Sequence, residues 1–192
     1  MELIFASHNE NKVTEIAALI GSGYSVKSLS SIGFNTEIVE NGSTLTENAL
    51  IKARTIHQAT NKNCFADDTG LLVEVLNNEP GVYSARYAGN QKNDQDNLNL
   101  LLENLKNKSN RSANFTPVIA LILDGKEYLF EGKLMGEIVT EKIGSNGFGY
   151  DPIFKPKDFN ITLAQMDLIK KNTISHRAMA FKKMIDFLHK IK

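Results

Sequence analysis

Short apolar runs alternate with amphipathic stretches along the 192-residue chain. ELIFA, residues 2–6, reads as a buried strand, and Asn9 just after it is placed to cap a helix. Val13, Ile16, Ala17 and Ile20 recur there at helical spacing, with Gly21 as the stop. Tyr24 to Leu29 reads as a second strand. Thr44 and Glu47 have the spacing of a capping box, and Leu45, Ala49, Ala53 and Ile56 share one side of the helix that follows. Cys64–Ala66 and Leu71–Val75 read as two strands around an Asp-Asp-Thr-Gly turn. Leu98, Leu101, Leu102 and Leu105 mark a further amphipathic helix. PVIALIL, then Asp124-Gly125, then KEYLFEGKL predicts a hairpin, because Asp-Gly suits the positive φ angles of a two-residue turn. Ser175 is placed to cap a last helix whose Ala178, Phe181, Met184, Ile185 and Leu188 face the core. Alternating elements plus a long hairpin predict an α/β fold with a mixed sheet.

Composition narrows the class. Hydrophobic residues make up 42%, enough for a sizeable core, and Lys plus Arg equals Asp plus Glu at 22 each. A neutral chain argues against coating a polyanion, so neither a nucleic acid nor a membrane is an expected partner. The single cysteine, Cys64, allows no intramolecular disulfide and suggests a reducing compartment. No apolar run approaches the roughly 18 residues of a membrane span, and the start lacks the basic region of a signal peptide. The expectation is a cytoplasmic protein.

Four polar or glycine-rich segments sit beside these core-forming elements. SHNENK, residues 7–12, joins strand to helix where backbone N–H groups suit a phosphate, although a polar cap there is common without any ligand. No Walker pattern is present. Asp67 and Asp68 repel each other unless a cation or a turn accommodates them, so a metal centre with Glu40 and a simple turn cap are both open. GSNGFGYDP, residues 144–152, holds Phe148 between two glycines, where it can stack on a base or, with Tyr150, tuck into the core. His176 and Arg177 fall in the first turn of the last helix, where the dipole disfavours cations and an anion or base edge would compensate. Together these are the parts of a nucleoside triphosphate site.

With those segments in order, the chain resembles the inosine triphosphate pyrophosphatase family, also called Ham1-like. The resemblance rests on SHNENK (7–12), ENGSTLTENALIKA (40–53), FADDTGLLVEVLNNEPGVYSARYAG (65–89), FEGKLMGEI, GFGYDPIF and ISHRAMAF. It implies the Maf-Ham1 fold, an elongated mixed β-sheet flanked by helices, as one domain over residues 1–192 with two lobes, a central substrate cleft and usually a homodimer. The implied activity is Mg²⁺-dependent hydrolysis of ITP, dITP and XTP to the monophosphate and pyrophosphate. Carried over by position, Ser7, His8, Asn9, Glu10, Asn11 and Lys12 would hold the triphosphate. Glu40 and Asp68 would hold the metal, with Asp68 also taking the proton of the attacking water. Thr69 would touch the substrate. Phe148, Gly149, Tyr150 and Asp151 would line the base, and Lys171, His176 and Arg177 would reach phosphate or base. Asp67 is expected to brace the turn or the metal's hydration shell. Two departures stand out: His8 replaces the family's usual glycine, and Thr69 its usual serine. Rival readings are a Maf-like pyrophosphatase for modified pyrimidine nucleotides, which GFGYDP and the Ser-His-Arg triplet argue against, and a non-catalytic nucleotide sensor, which has no use for Lys12, Glu40 and Asp68 together.

Overall fold

The computed structural model describes residues 1–191 other than 22 and 175; the side chains of residues 11, 15, 18, 168, 169, 172 and 176 lie outside the description. Eight strands form a mixed sheet: β1 (Glu2–Phe5), β2 (Ser25–Lys27), β3 (Cys64–Val73), β4 (Glu79–Pro80), β5 (Ser112–Leu123), β6 (Lys126–Glu131), β7 (Leu134–Ile138) and β8 (Phe154–Pro156). Their order is β2-β1-β3-β5-β7-β8, with β4 on β3 and β6 on β5. β1 runs parallel to β2 and β3; the pairs that β4, β6, β7 and β8 make are antiparallel. The helices are α1 (Glu10–Ile20), α2 (Leu45–Thr60), α3 (Asp94–Asn104), α4 (Leu168–Ile174) and α5 (His176–Lys190). The chain divides into two compact units, Met1–Asp68 with Val118–Glu131 and Ala180–Lys192, and Thr69–Pro117 with Gly132–Met179. No helix is long and apolar enough to cross a membrane, among the described residues.

The first unit is built on aromatic packing. Phe5 of β1 and Phe65 of β3 stack at 4.7 Å, and Phe181 of α5 meets both rings edge-on. Val13, Ile16 and Ile20 of α1 and Met184 and Leu188 of α5 close over them. Ala17 is exposed, so the apolar stripe of α1 is narrower than its spacing suggests. Asn9 Oδ1 accepts from the Lys12 N–H, as an N-cap does. The α2 capping box is present in both directions between Thr44 and Glu47, and Leu45, Ala49, Ala53 and Ile56 are buried. The predicted cap at Ser175 lies outside the described residues.

The hairpin forms as its sequence requires. Asp124 and Gly125 have φ of 49° and 75°, the two positive values of the turn whose twist matches its strands, and Leu123 pairs with Lys126. KEYLFEGKL is not one strand, however. β6 ends at Glu131, and β7 begins at Leu134 and pairs with the earlier part of β5, Phe115 to Leu134 and Ser112 to Glu137.

The second unit packs Leu98 and Leu101 of α3 against Leu71, Val73, Phe115, Ile138, Ile153 and Phe154. Arg111 ties its loops together, its guanidinium donating to the carbonyls of Leu105, Ile138 and Val139.

One expectation is corrected. No turn interrupts residues 64–73; Asp67, Asp68, Thr69 and Gly70 continue the strand. The acids do not need a turn, because successive strand residues face opposite sides and each finds its own lysine.

Candidate active site

Asp67 and Asp68 are separated by the pleat. Asp67, its side chain 3% exposed, accepts from Lys12 Nζ through both carboxylate oxygens, at 3.1 and 3.0 Å. Lys12 reaches it from the first turn of α1. Asp68 Oδ1 accepts from Lys52 Nζ at 3.1 Å, and the same ammonium donates to Glu40 Oε2 at 2.7 Å. Lys52 projects from α2, its side chain 12% exposed. Asp67 therefore braces Lys12 rather than a turn.

The framework under Glu40 is rigid for local reasons. Asn48, fully buried on α2, accepts from the Gly42 N–H at 2.8 Å. Glu47 accepts from the N–H groups of Ser43 and Thr44 as part of the capping box. The loop carrying Glu40 and the helix carrying Lys52 are thus tied at the helix start.

Among the described contacts this cluster joins three carboxylates to two ammonium groups. Burial disfavours charge on Lys52, yet Asp68, Asp67 and Glu40 outweigh it and raise its pKa. Burial likewise pushes Asp68 up; Lys52 opposes this and Glu40 and Asp67 add to it, with a net rise. The two rises look contradictory for an ion pair, since a balanced pair would lower the acid. They agree because burial is the first cause of the Asp68 rise and the neighbouring acids add to it. Every acid helps Lys52, whereas Asp68 has two like charges near it and one unlike.

A cavity of about 540 Å³ opens beside this cluster, lined by Ser7, His8, Lys12, Glu40, Lys52 and Asp67 among others. Ser7 Oγ accepts from the Asn9 N–H at 3.1 Å, so both side chains shape the start of α1. Glu10 is exposed, and the side chain of Asn11 lies outside the description. Among the described residues no three His, Cys, Asp or Glu side chains are arranged to hold a metal ion. Glu40 and Asp68 supply two carboxylates around one ammonium. Two carboxylates fit a Mg²⁺ that completes its shell with phosphate oxygens and water rather than an all-protein cage. Thr69 follows Asp68, and its hydroxyl is buried without a hydrogen-bond partner. Such an atom is costly unless a ligand meets it.

The second unit holds the other predicted residues. The glycine-rich loop places Phe148 outward, 62% exposed, and Tyr150 inward, 5% exposed. Asp151 is buried, and its Oδ2 accepts from the Phe148 N–H at 2.9 Å and from Lys171 Nζ at 2.5 Å. Gly147 cannot be replaced without strain: its φ is +81°, and a Cβ there would lie 2.0 Å from Asp151 Oδ2. Lys171 Nζ and Arg177 Cζ stand 5.0 and 5.8 Å from the Phe148 ring centre, within cation–π range. The N–H of Gly149 is taken by Asp94 Oδ2 at 2.8 Å. With Phe148 and Gly149 N–H groups both held by carboxylates, the loop backbone is less available to a base than the sequence suggests. The side chain of His176 lies outside the description.

Tyr150 is a core residue that supports the loop from beneath. Its hydroxyl donates to the Ser84 carbonyl at 2.8 Å, and burial pushes its phenol well above the ordinary tyrosine value. Tyr150→Phe is expected to cost about 1–3 kcal/mol of stability, because the Ser84 carbonyl is left unsatisfied, while KM moves little. Thermal melting and steady-state kinetics check this. An unchanged melting temperature with a large rise in KM would return Tyr150 to the substrate surface.

Lys52 is the principal residue that sequence reasoning missed. A signal was present: within ALIKA, a lysine sits one position before the buried Ala53, on the helix that starts five residues after Glu40. A long cation beside a buried helix face asks for an acidic partner.

Residues 3–187 match the Ham1 family. The chain is 51% identical over 188 residues to a dITP/XTP pyrophosphatase of Flavobacterium johnsoniae, covering 98% of each chain. It is 47% identical over 191 residues to one of Bacillus subtilis, covering 97% of this chain and 96% of the other. Among solved structures, the Ham1 protein of Staphylococcus aureus superposes with a TM-score of 0.95 at 41% identity, over 100% of both chains. A HAM1 protein from Coxiella burnetii gives 0.94 at 38%, over 99% of both. By sequence and by fold, along nearly its whole length, the chain belongs to the Ham1 family.

Proposed function

We propose that the protein is a nucleoside triphosphate pyrophosphatase that hydrolyses deaminated purine nucleotides, ITP, dITP and XTP, to the monophosphate and pyrophosphate. The observation that carries this reading is the sharing of Lys52 by Glu40 and Asp68 beside a cavity that Ser7, His8 and Lys12 line. In this reading water attacks the α-phosphorus, its proton passes to Asp68, and the bond from that phosphorus to the bridging oxygen breaks as pyrophosphate leaves. Burial raises the Asp68 pKa, which makes it a stronger base than an exposed aspartate. Lys12 and Lys52 turn from their carboxylates toward the phosphoryl oxygens, where charge grows in the transition state. Glu40 and Asp68 would hold Mg²⁺, which when bound supplies further neutralisation of that charge. The Thr69 hydroxyl donates to the substrate next to Asp68.

The purine is assigned to the second unit's loop. Phe148 stacks on the base, and Arg177 donates to the 6-oxygen that hypoxanthine and xanthine carry and adenine lacks. A donor facing the adenine amino group is left unpaired, and sites of that kind discriminate by factors of about 10⁴ or more. A cytoplasmic homodimer completes the reading; light scattering tests the dimer, and a particle of 21.3 kDa would remove it.

Product analysis tests the whole. The purified protein is incubated with ITP, ATP and GTP, with and without Mg²⁺. IMP and pyrophosphate from ITP, dependent on the metal, are expected. IDP and orthophosphate would move the attack to the terminal phosphorus and undo the assignment of Asp68.

A further inference from the structure

We propose that Asp94 is a positioning residue for purine recognition, its carboxylate fixing the Gly149 N–H and thereby the placement of the Phe148 ring. The inference rests on the proposed stacking role of Phe148. Within the segment from Gly144 to Gly149, Asn146 is tied to the carbonyls of Ala164 and Met166, whereas the Phe148 end is held differently. Gly144, Gly147 and Gly149 all have positive φ, and glycine carries more conformational freedom than any other residue. The exposed Phe148 ring lacks the apolar cover that would fix it by packing. Beside Lys171 and Arg177 over the ring, the Phe148 end is held at two successive N–H groups, each taken by a different carboxylate.

The two carboxylates do different work. Asp151 is three residues from Phe148 and accepts from its N–H, so it sets the shape of the turn. Asp94 lies 55 residues away at the first position of α3, and so sets where the turn sits. The next residue, Gln95, accepts from Lys142 Nζ at 2.7 Å, so the first turn of α3 grips the segment near both ends. α3 is anchored in turn by Leu98 and Leu101 in the core. A ring held in place before binding loses less freedom when a base stacks on it, which is the usual source of affinity by preorganisation.

A simpler role must be separated from this one, because an acidic residue at a helix N-terminus stabilises the helix by itself. Asp94→Asn keeps an oxygen for the Gly149 N–H and loses the charge. Asp94→Ala loses both. The experiment measures KM and kcat for ITP, the inhibition constant of inorganic tripolyphosphate, and the melting temperature for both variants, for Phe148→Ala, and for the Asp94→Ala/Phe148→Ala double variant. The expected result is a rise in KM of about tenfold for Asp94→Ala with kcat nearly retained and tripolyphosphate binding unchanged. Asp94→Asn should restore KM even where it lowers the melting temperature. The double variant should be no worse than Phe148→Ala alone, since both act through one ring. An unchanged KM in Asp94→Ala, an equal weakening of tripolyphosphate, failure of Asn to rescue, or additive losses would each overturn the proposal. If the wild-type protein left ITP intact, the enzymatic reading would fall separately. Amide hydrogen exchange at Gly149 would still decide whether Asp94 holds the loop, and exchange no faster in Asp94→Ala than in wild type would overturn it.

Discussion

Asp68→Asn is expected to lower ITP turnover by about a thousandfold, in the range typical for loss of a general base, and to raise thermal stability at neutral pH. Asn keeps the shape and an oxygen for Lys52, but it cannot accept a proton from water. The stability gain follows from the raised pKa of Asp68, caused first by burial and then by Glu40 and Asp67. An acid whose folded pKa lies above its unfolded one favours the folded state while both forms are protonated. That contribution is lost as pH rises from the ordinary value of 3.8 through the raised folded value. The Asn variant has no such loss. Its melting temperature should match the wild type in acid, draw ahead across that window, and stay ahead at pH 8. A variant less stable than wild type at pH 8, or one that turns over ITP normally, would contradict the cost of the buried Asp68 charge or the catalytic role respectively.

Lys52→Met should be damaging in both respects. Removing one partner of a largely buried ion pair costs about 3–5 kcal/mol, because the remaining charge is left without compensation. Here two carboxylates, Glu40 and Asp68, lose the same ammonium. Glu40 is the more exposed of the two, so solvent softens its share. Turnover should fall by about a hundredfold or more, the scale seen when one donor to a developing oxyanion is lost. Two conditions should repair stability without repairing activity. Acidification neutralises the stranded carboxylates. Mg²⁺ in the millimolar range should raise the melting temperature of Lys52→Met more than that of wild type, since the lysine no longer competes for the same oxygens. Equal responses of the two proteins to Mg²⁺ would argue that Glu40 and Asp68 do not share a metal.

Much of the local structure was legible because its causes are local. The Thr44–Glu47 capping box, the Asn9 cap and the Asp124-Gly125 turn each depend on residues within four positions of one another. The leucine spacing of α3 worked for the same reason. The Asp-Asp-Thr-Gly segment misled, since its turn-prone composition was overruled by partners distant in sequence. Lys12 lies 55 residues from Asp67 and Lys52 lies 16 from Asp68. A sequence window sees two like charges side by side; the strand sends them to opposite faces.

GFGYDP shows the same division within six residues. Its glycines announce a tight loop, and their positive φ angles bear that out. Which aromatic goes in and which goes out is not encoded in the loop. Tyr150 is buried because the Ser84 carbonyl offers its hydroxyl a partner, while Phe148 stays out on a turn held by Asp151 and Asp94. The family was determined by the motifs of the sequence alone, and the starts of α1 and α2 by capping that acts over a few residues. The pairing of each acid with its lysine, the sharing of Lys52 by Glu40 and Asp68 and the hold of Asp94 on the glycine-rich loop were decided only by tertiary structure. Burial strengthens charge and hydrogen bonding between groups that the chain order keeps far apart.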